Sequence, residues 1–333
     1  MINNTSFETC DIEPNTFLDM PELKESKQII VKLLDKDNKL ELPYIMKDDS
    51  FLIVYGGWIP CSFIRRNTLL LADRNVISEI ITRYRNGKKE VSGDFDAFDN
   101  IFLNSNIKLD ITSYLIEGNK GRVPTNSEID EELEIVIKAL KIALPKLDIA
   151  VYPNQNAYYY NLKDANSKSI EERMRFLQEI SSKINKEFTH KTREKAVMLV
   201  YETAKNMELK RDDFVIILVL LRIIMKGKKS AAKLILKDSQ IYTEEKAYNA
   251  AFDLTNIVML LNLHIYHLSK TNFKVAFITK DKGLALFSSL LNNLRINKRE
   301  NGNINFMTTL TTEIFDGDIE MIETYRKWLN GEI

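Results

Sequence analysis

The chain has few of the residues that build covalent or histidine-based sites. Its 333 residues include only two cysteines, Cys10 and Cys61, and three histidines. Two cysteines cannot form a disulfide framework or a cysteine zinc cage, so we expect reduced thiols in a cytoplasmic protein. So few histidines argue against a hydrolase that depends on a histidine base and favour one that uses metal-activated water.

Long apolar stretches and common nucleotide-binding motifs are also absent. The longest apolar run, FVIILVLLRIIM at 214–225, has only twelve residues, whereas a membrane span needs about twenty. We therefore expect a buried core helix there and no membrane partner, and the N-terminus shows no signal peptide pattern. GxGxxG, GxxxxGK[ST] and GxSxG motifs do not occur, which removes the commonest dinucleotide, nucleotide and serine-hydrolase interpretations.

The chain has no excess of charge of either sign, with 47 basic and 47 acidic residues. This balance argues against a protein that coats nucleic acid nonspecifically, although it leaves room for a local basic groove. Hydrophobic residues make up 44% and charged residues 28%, which is typical of a folded globular chain. The length suits one large domain or two of ordinary size.

Short apolar strands run directly into helices at two places. TLLLA at 68–72 and VAFIT at 275–279 are continuous apolar runs, typical of strands buried on both faces, and apolar residues at helical spacing follow each of them. Further strands are predicted at 50–60, as one strand, and at 303–309. Helices are predicted at 128–144 and over most of 169–270. This alternation predicts an α/β fold with a central parallel sheet flanked by helices.

An aspartate stands at the end of each of the two apolar strands, Asp73 and Asp281. In an open α/β sheet, ligands bind outside the carboxyl ends of the strands. Two carboxylates held together there repel each other unless a cation lies between them. Magnesium and manganese prefer oxygen ligands and keep bound waters, which suits a hydrolase. The competing interpretation is that each aspartate only caps the helix that follows it.

Four segments together resemble PIN-domain nucleases. LLLADRNVISEI, with Asp73 and Asn75, is similar to the opening motif of that family, and AFITKDKGL, with Thr279 and Asp281, is similar to the closing motif. Between them, SYLIEGNKG offers Glu117 for a further acid at a helix end. NAAFDLTNIVMLLNL offers Asp253 for an aspartate in a helix, with Asn256 one turn along. The order of the acids along the chain is that of the family.

The resemblance implies a divalent-metal-dependent endoribonuclease. Asp73, Asp253 and Asp281 would hold one or two Mg²⁺ or Mn²⁺ ions, with Glu117 assisting in catalysis. Asn75, Asn256 and Thr279 would contact these ligands, not the metal, and orient them. The phosphates of an RNA substrate would meet the basic residues that flank the acids, which are Arg74, Lys120, Arg122, Lys280 and Lys282.

The resemblance also implies a division of the chain. Residues 67–130 and 245–312 would form the PIN-like core, 1–66 an N-terminal extension or small subdomain, 131–244 a mostly helical insertion, and 313–333 a C-terminal helix. By analogy, such a protein would be a bacterial toxin or phage-defence effector. It could have a protein inhibitor or regulatory partner, and it could form a homo-oligomer. Two alternatives remain. One is a DNA or flap-type nuclease of the same fold, and the other is a catalytically inactive scaffold that binds RNA or protein.

Overall fold

A computed structural model describes most of the chain, at residues 50–64, 67–225, 230–237, 242–270, 274–298, 304–315 and 317–333. Most of the predicted N-terminal extension, 1–49, lies outside these residues. So does Cys10.

The strands, in chain order, are β1 (Phe51–Val54), β2 (Gly57–Pro60), β3 (Thr68–Ala72), β4 (Tyr84–Arg85), β5 (Lys88–Lys89), β6 (Ile107–Asp110), β7 (Asp148–Ile149), β8 (Lys274–Thr279), β9 (Leu291–Lys298) and β10 (Ile304–Leu310). Six of them form the central sheet in the order β2-β1-β8-β3-β6-β7. Strands β8, β3, β6 and β7 run parallel, and the β1–β2 pair joins β8 antiparallel at one side. The strands β4 with β5, and β9 with β10, form two separate pairs.

The helices, in chain order, are α1 (Arg74–Arg83), α2 (Ala97–Asn104), α3 (Thr112–Glu117), α4 (Asn126–Ala143), α5 (Gln155–Ile184), α6 (His190–Asn206), α7 (Phe214–Ile224), α8 (Ala231–Leu236), α9 (Glu244–Lys270), α10 (Lys282–Leu290) and α11 (Ile319–Asn330). Helix α9 packs against β8 and α5, while α10 packs against β1, β2 and α8. The chain is therefore an α/β protein whose central, mostly parallel sheet is flanked by helices, as the alternation of strands and helices predicts.

The register of the sheet brings the carboxyl ends of three neighbouring strands together. Leu71 of β3 pairs with Phe277 of β8 on one side and with Asp110 of β6 on the other. Every residue of β3 is buried, which confirms the prediction of a strand covered on both faces. Asp73 and Asp281, which follow β3 and β8, consequently lie at the same edge of the sheet.

Two predictions need correction or refinement, and one strand of the sheet is absent from the predictions. The single strand predicted at 50–60 is wrong: the segment forms the β1–β2 hairpin, with Val54 paired to Gly57 across a two-residue turn. Gly56 in that turn has a φ of 89°, a backbone conformation that residues other than glycine rarely adopt. Strand β6 was not predicted at all. The segment 131–244 also supplies one strand of the sheet, β7, besides its helices.

The apolar helix predicted at 214–225 is confirmed as a core helix. All eleven residues of α7 are buried, including Arg222. Asp213 begins this helix by accepting a hydrogen bond from the Val215 N–H at 2.9 Å, and it also forms an ion pair with Arg173 of α5. Within the described ranges, no helix combines the length and the hydropathy that a membrane crossing requires.

Candidate functional site

Asp73 stands where β3 turns into α1, and it is 6% exposed. Its backbone N–H donates to the Ile278 carbonyl of β8, which fixes the residue between the two strands. The side chain makes no capping hydrogen bond to α1. Its Oδ2 atom accepts a hydrogen bond from the Thr279 hydroxyl at 2.7 Å. The backbone N–H groups of Arg74 and Asn75 also lower its pKa, so helix capping explains part, but not all, of the surroundings of this carboxylate.

Thr279 connects the two strand ends. While its hydroxyl donates to Asp73, the same oxygen accepts from the backbone N–H of Asp281 at 3.0 Å. Asp281 in turn accepts from the Leu284 N–H at 2.9 Å, so it does cap α10. The capping interpretation therefore applies to Asp281, whose capping bond uses Oδ1.

Glu117 is the last residue of α3 and lies close to the same edge. Gly118 follows with a φ of 69°, and the Tyr248 hydroxyl of α9 donates to the Glu117 carbonyl at 2.6 Å. The Glu117 Oε2 atom is buried and has no hydrogen-bond partner among the described residues. Burial raises the pKa of Glu117 to about 8, and the negative charge of Asp73 adds to this, while Arg74 opposes it.

Asp253 lies on α9 and completes the group. Burial raises its pKa well above the usual value, and the charges of Asp281, Asp73 and Glu117 raise it further. The pKa of Asp73 is also raised, first by burial, with the Thr279 hydrogen bond opposing and the charge of Asp281 adding. Four acids from four distant parts of the chain therefore lie within electrostatic reach of one another. We call them the carboxylate cluster.

The donor chemistry of the carboxylate cluster fits a hard divalent cation, since all its ligand atoms are oxygens and one of them is buried without a partner. As placed, however, no three His, Cys, Asp or Glu side chains in the described part of the chain are grouped so that they could hold one metal ion. The acids are near one another but are not drawn together into a coordination shell.

The predicted supporting residues differ in their positions. Asn256 of α9 is 1% exposed and its Oδ1 accepts from the Ser113 hydroxyl of α3 at 2.6 Å. Its Nδ2 atom has no partner among the described residues. This contact ties the helix of Asp253 to the helix of Glu117. Asn75, by contrast, is exposed on the first turn of α1.

Most of the basic residues predicted to bind substrate are engaged in ion pairs. Both terminal nitrogens of Arg74 bond Glu132, at 3.1 and 3.2 Å, and its guanidinium lies 4.3 Å from the centre of the Tyr114 ring. Lys120 and Arg122 share Glu128, at 2.6 and 2.7 Å.

The two lysines beside Asp281 are less constrained. The Lys280 Nζ atom lies 3.4 Å from the Glu79 Oε2 atom, and the Lys280 side chain is 33% exposed. Lys282, the first residue of α10, forms no ion pair with any residue that the structure describes. Lys282 is thus the predicted substrate-binding cation whose charge is least committed within the protein.

Asp110 is a buried carboxylate that the sequence analysis missed. It ends β6, is 0% exposed, and accepts hydrogen bonds from the Thr112 N–H at 2.8 Å and from the Tyr152 hydroxyl. Tyr152 stacks on Tyr158, with ring centres 3.9 Å apart. The available signal was the sequence IKLDIT, another strand that ends in aspartate. Asp110 is not among the main charges that shift the pKa of Asp73, Glu117 or Asp253, so we do not include it in the carboxylate cluster.

The fold and the site define an α/β protein with acids gathered at the carboxyl edge of its parallel strands. Compared with protein-family models, curated proteins and solved structures, the chain matches none of them. The resemblance to PIN-domain nucleases therefore stays a prediction from the sequence motifs.

Proposed function

We propose that the protein is a divalent-metal-dependent endoribonuclease that hydrolyses phosphodiester bonds at the carboxylate cluster. The observation that carries the proposal is the electrostatics of Asp253, whose pKa is raised by burial and by three other acids. A fold gains no stability by gathering buried and partly buried acids that repel one another. Such a group is typical of a site that binds a cation.

The residues divide the work as follows. Asp73, Asp253 and Asp281 would hold one or two Mg²⁺ or Mn²⁺ ions, and Glu117 would assist. When bound, such an ion lowers the pKa of a coordinated water and stabilises charge on the phosphate oxygens. Thr279 holds the Asp73 carboxylate in place through its 2.7 Å hydrogen bond. Without a cation, burial keeps Glu117 protonated near neutral pH. On metal binding Glu117 would lose this proton, and it would then accept a proton from the attacking water.

The choice of RNA rests on the sequence resemblance, which also supports a cytoplasmic toxin or defence effector controlled by a protein inhibitor. DNA is the alternative substrate of the same site. Two observations favour the third alternative, a scaffold without catalysis: Asp281 caps α10, and as placed the described acids do not group around one ion.

The test is cleavage of labelled single-stranded RNA and single-stranded DNA with Mg²⁺, with Mn²⁺ and with EDTA. Asp73→Asn and Asp253→Asn each remove one ionisable carboxyl group with little change of shape. Asp148→Asn is the matched control, because Asp148 begins β7 and so lies at the opposite edge of the sheet. We expect metal-dependent RNA cleavage that the first two variants lose and the control keeps. Cleavage of DNA alone would support the flap-type alternative.

Calorimetry with Mn²⁺ separates the enzyme from the scaffold. We expect Mn²⁺ binding that is weakened in Asp253→Asn and unchanged in Asp148→Asn. A protein that neither binds Mn²⁺ nor cleaves either polymer would refute the enzyme, and binding of the same RNA without cleavage would then identify the scaffold.

A further inference from the structure

Helix α8 packs unusually close to the first turn of α10. A Cβ atom added to Gly283 would lie 2.8 Å from the Leu234 Cβ, 3.0 Å from the Ile235 Cγ1 and 3.0 Å from the Asp281 Oδ1. Real Cβ contacts are essentially never as short as the first of these. Glycine at this position thus lets α8 approach the turn that carries Asp281, and it sets the end of α8 beside the carboxylate cluster.

Lys237 is the residue at that end. It follows α8 in the left-handed conformation, with φ 51° and ψ 37°, and its N–H donates to the Lys233 carbonyl at 2.9 Å. Glycine or asparagine usually occupies such a position, because the left-handed region costs other residues about 1 kcal/mol. The conformation ends the helix abruptly and leaves Lys237 exposed to solvent.

The charge of Lys237 is uncommitted in the described structure. It forms no ion pair with a described residue, and its positive charge acts on Asp253 and favours the ionised form of that acid. Arg74, Lys120 and Arg122, in contrast, are bound to glutamates. A free cation beside a group of acids is placed to meet the phosphate of a substrate whose scissile bond lies over those acids.

We propose that Lys237, together with Lys282 across the α8–α10 contact, binds a backbone phosphate of a single-stranded RNA next to the carboxylate cluster. This inference rests on the proposed function. Lys237 would be a substrate-positioning residue, which acts on RNA binding and leaves the hydrolytic step to the acids. The sequence analysis did not single it out, because it follows a separate short helix far along the chain from Asp73 and Asp281.

The experiment is the rate of cleavage of a labelled single-stranded RNA against RNA concentration, in Mn²⁺ and at several salt concentrations. Lys237→Asn removes the charge with a residue that accepts the left-handed conformation, and Lys237→Arg keeps the charge. Lys146→Asn is the control, since this exposed lysine precedes β7 at the amino edge of the sheet. No variant is expected to have a lower melting temperature than the unaltered protein, because Lys237 is exposed and asparagine accepts its left-handed conformation.

One lost phosphate contact changes the slope of log affinity against log salt by about 0.7 for a single strand, which amounts to about fivefold at about 0.1 M salt. We therefore expect Lys237→Asn to raise KM about fivefold and to flatten the salt dependence, with kcat unchanged. Lys237→Arg should restore both, and Lys146→Asn should change neither. An unchanged KM and slope in Lys237→Asn would overturn this inference while leaving the nuclease intact. Absence of cleavage by the unaltered protein would overturn the proposed function and the inference with it.

Discussion

Replacing Glu117 by glutamine should stabilise the metal-free protein, and increasingly so as the pH rises. Burial raises the pKa of Glu117 from 4.5 to about 8 in the folded protein. Between these two values the unfolded chain has released the proton while the folded protein keeps it. The free energy of unfolding therefore falls with rising pH over this window. Glutamine has the shape of the protonated acid but does not titrate, so the variant lacks this loss.

The size of the effect follows from the pKa shift. Each pH unit between the unfolded and the folded pKa changes the free energy of unfolding by about 1.36 kcal/mol. At about pH 7, roughly two and a half units above the unfolded pKa, the free energy of unfolding of Glu117→Gln should be larger by about 3 kcal/mol. At about pH 5 the same reasoning leaves less than about 1 kcal/mol. The advantage of the variant should therefore grow steadily across this range.

The assay is urea unfolding in EDTA, followed by the fluorescence of the two tryptophans, Trp58 and Trp328. Glu117→Gln, the unaltered protein and Glu134→Gln are compared from about pH 5 to about pH 8. Glu134 is an exposed glutamate of α4 and serves as the matched control. Parallel pH profiles for Glu117→Gln and the unaltered protein would show that Glu117 is not held protonated, and the electrostatic reasoning about the carboxylate cluster would be wrong.

Three further changes test the packing and the metal. Arg173→Met leaves the carboxylate of Asp213, 10% exposed, without its ion-pair partner, so urea unfolding should show a loss of about 3–5 kcal/mol; a loss below about 1 kcal/mol would contradict this. Gly283→Val drives side-chain atoms into Leu234 and should cost about 1–3 kcal/mol in thermal unfolding, whereas an unchanged melting temperature would show that α8 moves freely. Mn²⁺ at about a hundredfold excess over its Kd should add about 2.7 kcal/mol of stability, and an equal gain in Asp253→Asn would place the ion elsewhere.

The parts of the fold that could be predicted are those with local signals. Strands β3 and β8 and helix α7 are continuous apolar runs, and each is buried as its sequence indicates. Strand β6 has only four residues, two of them polar, and its sequence runs straight into α3. Its pairing with β3 makes it a strand, and that pairing joins residues far apart in the chain. Tertiary contact thus decides where the local pattern is weak.

The site shows the same division. Asp73 and Asp281 could be found because each ends an apolar strand, and the order of the sheet then places them together. The state of the basic residues could not be found in this way. Whether Arg74 is free or bound depends on Glu132, a residue of another helix, and the position of Lys237 depends on how closely α8 approaches Gly283. Such facts depend on packing between elements, which sequence spacing does not encode.

A buried acid elsewhere in the molecule shows that the repulsion in the carboxylate cluster is not a necessity of the fold. Asp99 is 0% exposed, and burial alone would raise its pKa. Hydrogen bonds from Arg83 and Lys89, at 2.8 and 2.9 Å, instead lower it, and the Tyr84 hydroxyl adds another at 2.8 Å. The chain therefore surrounds a carboxylate with donors where the carboxylate serves only the structure.

At the carboxyl edge of the sheet the arrangement is the opposite. Glu117 keeps a buried oxygen without a partner in the described structure, and the neighbouring acids raise the pKa of Asp253 further. Arg74, whose charge acts on Glu117, is bound to Glu132 and so is only partly available to these acids. Uncompensated acids of this kind reduce stability, and proteins keep such local conflicts mainly where a ligand resolves them. The contrast with Asp99 is the physical reason to look for a cation at this edge first.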